Sequence, residues 1–183
     1  MGYFLHTAME YMIRKLPVVI IILVVFFWIR RQLIRKEWLH RGSHLREISV
    51  FVFTAYLALV FSLTFTPIRF TFPQEGFRFQ STLLAMMRGE YTTGEWGLTM
   101  LAGNVVMLMP LGFLMPVLWK QCWWQTLAIA LAVILCIELL QPFVGRSFDI
   151  DDIFLNFTGA AIGLIFSIVP RVVCPQLVRK LRE

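Results

Sequence analysis

Asn104, Glu138, Gln141, Arg146, Asp149, Asp152 and Asn156 carry the groups in this chain best suited to binding or proton transfer. Carboxyls accept hydrogen bonds, move protons or hold hard cations, amides donate and accept, and a guanidinium steadies an anion. All but Asn104 fall in residues 138–163, ELLQPFVGRSFDIDDIFLNFTGAAIG. Glu138 and Gln141 are three apart, so on a helix they share a face. Asp149, Asp152 and Asn156 follow at i, i+3 and i+7, and Gly159 or Ala160 and then Gly163 continue the stripe. Polar residues above a small-residue seam predict a helix that packs centrally and presents its acids between helices. Glu138 must face a partner or water, and Arg146 is its nearest candidate partner. One of Asp149, Asp151 and Asp152 is expected to serve only as a helix cap. Asn104 and Asn156 are candidates for a structural bond between helices. The functional alternative is a polar site that avoids anions or works with a cation.

The elements that position these groups are set by composition. Of 183 residues, 58% are hydrophobic and only 15% charged, far from the balance of soluble domains. The apolar stretches are continuous rather than alternating, which excludes a transmembrane β-barrel. The fold class is therefore all-α, a polytopic transmembrane helix bundle of about five spans. The runs are 16–29, 48–66, 98–118, 124–141 and 153–169. The first lacks a small-residue cleavage site and reads as an uncleaved, short span. Pro110 and Pro116 are expected to kink the third or end it early. Pro170 is expected to close the fifth. Three segments result: an anchor helix and basic stretch (1–46), a four-helix membrane domain (47–170) and a basic tail (171–183).

The net charge of +6 does not indicate a nucleic-acid partner, because Lys and Arg gather at the ends of apolar runs. Residues 30–46 hold six, Lys120 follows, and the tail holds four, eleven of the seventeen in all. The positive-inside rule then puts the N-terminus out and the C-terminus in. The 138–156 turn and the long connection 67–97 fall on the outer side, with Asn104 at the same depth. That connection reads equally as a lid or as an interfacial spacer, with a short helix at STLLAMM. His40 and His44 stand among basic neighbours that disfavour a bound cation. Three cysteines without regular spacing give neither a disulfide framework nor a metal pattern, and Cys136 reads as a small packing residue. No cofactor and no metal are expected.

The segments NVVMLMPLGFLMP, ELLQ and RSFDIDDIFLNFTGAAIG resemble the VanZ-like family of bacterial membrane proteins. The matching positions are Asn104, Pro110, Gly112, Glu138, Gln141, Arg146, Asp149, Asp152, Asn156, Gly159 and Gly163, within residues 47 to about 170. The resemblance implies a multi-pass protein of the bacterial cell membrane, associated with low-level resistance to the glycopeptide teicoplanin, and it brings no reaction with it. The expected partners are membrane lipids and a lipid-linked peptidoglycan precursor or the drug, bound at the outer leaflet. The alternative is an intramembrane enzyme on a lipid-linked substrate. There Glu138 or Asp152 would be the base, with Asp149, Asp152 and Asn156 around a divalent cation. A transporter is disfavoured by the absence of an internal repeat.

Overall fold

A computed structural model describes the backbone of residues 2–38, 42–65, 79–80, 95–146 and 148–183, and the side chains of 13–38, 42–65, 102–146 and 148–183. The described residues are helical almost throughout, as expected for an all-α membrane bundle. They form two compact units, Met1–Pro67 (with Glu183) and Ile68–Arg182.

The first unit is a helical hairpin. Its arms are α1 (Gly2–Arg35) and α2 (His44–Phe65). The first apolar run is thus part of a much longer helix that continues through Arg30, Arg31 and Arg35, because straight-chain basic residues are good helix formers. Pro17 lies inside α1. The arms meet through side chains such as Phe27 and Phe51, whose rings lie 5.7 Å apart. Arg30 Nη2 and Glu47 Oε1 form an ion pair at 2.7 Å. Hydroxyls on α2 mostly bond within their own helix: Ser49, Thr54 and Thr64 donate to the carbonyls of Leu45, Val50 and Val60. Ser62 instead donates to Lys15 O at 3.3 Å. Ile20, Ile21, Val24, Phe51 and Val52 are exposed, as faces turned to lipid require. His44 opens α2, and His40 lies outside the described residues.

The second unit holds α3 (Glu95–Leu118), α4 (Trp123–Leu140), α5 (Ile150–Phe166), α6 (Ile168–Val173) and α7 (Pro175–Arg182). Two residue pairs, β1 (Phe79–Gln80) and β2 (Phe148–Asp149), form a short parallel ladder. The most extensive packing joins α3 to α5. It is a backbone-to-backbone contact: a Cβ added to Gly112 would strike Ala160 O, one on Gly159 would strike Val105 O, and one on Gly163 would strike Met109 O. Position 163 matches 109 as position 159 matches 105, so the two helices run parallel and glycine is required where they touch.

This seam explains a departure from the sequence expectation. α3 does not end early at its prolines but runs through Pro110 and Pro116 to Leu118. Packing against a neighbour sustains a helix that propensity would interrupt. Where α3 stops at Leu118 its last carbonyls are open, and Arg182 donates to them from Nη2 to Pro116 O at 2.6 Å and from Nε to Val117 O at 3.1 Å. The basic tail is thus a helix that caps the end of α3. The fifth run begins three residues earlier than expected, at Ile150, and breaks at Ser167. Pro170 explains the break, having no N–H to return to Phe166 O. Cys136 is exposed rather than packed, because the buried positions of α4, Thr126, Ala130, Ile134, Ile137 and Glu138, lie on another face.

Four helices are long and apolar enough to cross a membrane, at Ile13–Arg35, His44–Phe65, Trp123–Val144 and Ile150–Val173. Ala102–Leu118 forms a shorter apolar helix. The backbone of α3 is helical over 24 residues, about 36 Å at the usual rise. The short helix expected at STLLAMM, with Arg69, Arg78 and Arg88, lies outside the described residues.

Candidate functional site

The site is built where three helix ends of the second unit converge: the start of α5, the last turn of α4 and the N-terminal half of α3. The sequence explains the turn between α4 and α5. Pro142 cannot donate to a helical carbonyl, and the chain tightens into a 3₁₀ turn over Gln141–Val144. Gly145 then takes φ 80°, the left-handed conformation that glycine adopts without strain. Arg146 N returns to Gln141 O at 3.1 Å. The turn therefore stays next to the end of α4 instead of running away from it.

Glu138 is completely buried. Its two carboxyl oxygens have separate donors: Gln141 Nε2 reaches Oε1 at 3.3 Å, and the backbone N–H of Asp149 reaches Oε2 at 3.4 Å. The three-residue spacing of Glu138 and Gln141 thus produces a direct bond. Arg146, the partner expected from sequence, is exposed. Its positive charge acts on both Glu138 and Asp152.

Asp149 is the cap among the three aspartates. Its carboxylate accepts from Asp151 N at 2.9 Å and satisfies one of the free N–H groups of the first turn of α5. Asp151 is buried in that first turn. Asp152, one position further on, is half-buried and accepts from Asn104 Nδ2. Asn104 therefore ties α3 to Asp152 and not to Asn156, the partner that the sequence suggested. Asn156 is only 2% exposed, and its Oδ1 has no hydrogen-bond partner among the described residues.

The structure thus forms two bonded sets, Gln141–Glu138–Asp149 and Asn104–Asp152, whose carboxyls at Glu138 and Asp152 act on each other through charge, and puts Asn156 one turn beyond Asp152 on α5. Arg146 stays at the rim. Glu138 is satisfied at both oxygens, whereas Asp152 bonds through only one in the described contacts. Among the described residues no three His, Cys, Asp or Glu side chains group as metal ligands, and Asp149 is occupied with capping. The arrangement can hold a ligand by hydrogen bonds and charge.

Sequence reasoning did not foresee the parallel ladder. Phe79 pairs with Phe148 and Gln80 with Asp149, so the backbone of the long connection lies alongside the residue that caps α5 and bonds Glu138. Two residues of strand carry no alternation to recognise. The weak signal was the length of the connection itself.

Neither curated proteins nor solved structures give a match. A family model, VanZ/LLP1, matches residues 16–171. The match takes in most of α1 and the basic segment, as well as the region that carries the polar motifs. This chain belongs to the VanZ/LLP1 family.

Proposed function

We propose that this chain is a multi-pass protein of the bacterial cell membrane that lowers susceptibility to glycopeptide antibiotics such as teicoplanin. It does so through a polar site that opens outward and binds a cell-wall precursor, a lipid or the drug. Membership of the VanZ/LLP1 family supports the membrane part of this reading. The asymmetry of Lys and Arg supports the orientation, with five spans, the N-terminus out and the C-terminus in.

The observation that carries the reading is the buried Glu138, held by Gln141 and the backbone of Asp149, beside the Asn104–Asp152 pair. A carboxylic residue inside a spanning helix costs about 2.5–3.5 kcal/mol on insertion scales, and such residues concentrate at functional sites. Packing alone does not call for a carboxyl at the fully buried position 138. In this reading Asn104, Glu138, Gln141, Arg146, Asp149, Asp152 and Asn156 form the ligand-facing group, and glycopeptides act at the same outer face.

Complementation of a strain lacking the gene tests this. The wild-type chain is expected to raise the teicoplanin inhibitory concentration. Asp152→Asn and Asn104→Leu, present in the membrane at the wild-type level, should return it to that of the deletion strain. Full protection by both variants would remove the site from the reading. A wild-type chain that leaves the inhibitory concentration unchanged would remove the drug.

A further inference from the structure

The donors and acceptors of this cluster do not balance. Gln141 Nε2 and Asp149 N donate to Glu138, Asp151 N donates to Asp149, and Asn104 Nδ2 donates to Asp152. Each of these donors ends on a carboxyl group. Asn156 Oδ1 is left over: it is buried, and no donor reaches it among the described residues. A buried acceptor in that state costs free energy until a donor arrives. Asn156 stands one turn beyond Asp152 on the same face of α5. Helical side chains lean toward the N-terminus of their helix, so this amide is aimed up the helix at Asp152 and the cluster.

Charge points the same way. Glu138, Asp149, Asp151 and Asp152 surround the turn, and Arg146 is the only basic residue between Gln121 and Pro170. A phosphate or carboxylate brought to Asp152 meets like charge. A group bringing both N–H donors and positive charge meets two acceptors at once.

We propose that the site receives a primary ammonium group, with Asn156 Oδ1 and Asp152 as its acceptors. An ammonium has three donors, one charge and no acceptor of its own. A hydroxyl also supplies a donor, but it leaves the acidic surroundings uncompensated. This inference rests on reading the cluster as a binding site and adds the ligand's chemistry to it. The ammonium can come from an aminolipid headgroup or from a soluble amine.

The test uses the full-length chain in detergent and measures lipid binding by native mass spectrometry. The probes are phosphatidylethanolamine, phosphatidylcholine, phosphatidylglycerol and free ethanolamine. Phosphatidylethanolamine should bind about tenfold more tightly than the other two lipids, the worth of one charge-assisted hydrogen bond. The preference should vanish in Asn156→Leu and persist in Asn156→Asp, which keeps the acceptor. Competition by ethanolamine assigns a soluble amine and its failure assigns the lipid, and both outcomes support the ammonium. Phosphatidylcholine carries the same charge without N–H groups, so equal binding overturns the proposal. Preference for phosphatidylglycerol overturns it too. These arms use the wild-type chain and decide the matter even if Asn156→Leu does not fold.

The two readings fail differently. Tight phosphatidylglycerol binding that requires Asn156 leaves the binding site standing and removes the ammonium. If Asn156→Leu and Asp152→Asn alter neither lipid binding nor teicoplanin susceptibility, both readings fall.

Discussion

The hairpin of α1 and α2 and the bundle of α3 to α7 solve the same problem in opposite ways. In the hairpin, polar side chains are mostly kept from depending on the partner helix. Ser49, Thr54 and Thr64 turn back to their own backbone, and the arms touch through aromatic and aliphatic side chains. In the bundle, Asn104 bonds Asp152 across helices, Glu138 is held from the turn, and three glycines let two backbones meet. Ser62 and the Arg30–Glu47 pair are the exceptions that cross between the arms, and a substitution at a hydroxyl bonded within α2 is expected to be tolerated. The bundle does not share this tolerance, since its polar groups are satisfied only in one register of α3 against α5. The comparison teaches that similar hydrophobicity can conceal very different demands on geometry.

The sharpest way to break this contrast is at the glycine seam. Gly163→Leu forces a side chain into the backbone of Met109, and overpacking against atoms that cannot rotate away should cost about 3 kcal/mol or more. Gly103, on the same α3, has open space where a Cβ would stand. Gly103→Ala should therefore stabilise by about 0.5–1 kcal/mol, the usual gain in a helix. Denaturation of both variants in detergent checks the pair. Equal effects would mean that the seam is not the determinant of α3–α5 packing.

Smaller in scale is Glu138→Ala. It strips the acceptor from Gln141 Nε2 and Asp149 N, and buried donors left unsatisfied should cost about 2–3 kcal/mol together. The same denaturation measurement applies, and a loss below about 0.5 kcal/mol would show that both donors find water. The smallest effect is expected in the hairpin. Thr64→Val removes a hydroxyl bonded to Val60 O of its own helix, and the change should stay within about 0.6 kcal/mol. A larger loss would erase the distinction between the two units.

Helix positions were legible in the sequence because apolar runs of membrane length leave few alternatives. The shared face of Glu138 with Gln141 was legible for the same reason, as helical spacing fixes direction. What spacing does not fix is the neighbour. Asn104 bonds Asp152 in place of Asn156, and the two candidates stand one turn apart on one face of α5, a choice that spacing leaves open. Cys136 looked like a packing residue because the run around it is apolar on every side, so the sequence does not mark which face is buried. Pro110 and Pro116 misled in a different way: their local preference is real, but the contact of α3 with α5 outweighs it.

The ladder of Phe79 and Gln80 with Phe148 and Asp149 also bears on the order of assembly. Its strands are about 70 residues apart, and all of α3 and α4 lies between them. Closing so long a loop is entropically costly and repaid late. During synthesis residue 79 emerges well before residue 148, so this stretch has to wait for two complete helices before it finds its partner. The two strands can join only after the chain has been made past β2, which makes their union a marker of completion. A chain halted between α4 and β2 would lack this closure together with α5, the helix that packs most extensively against α3.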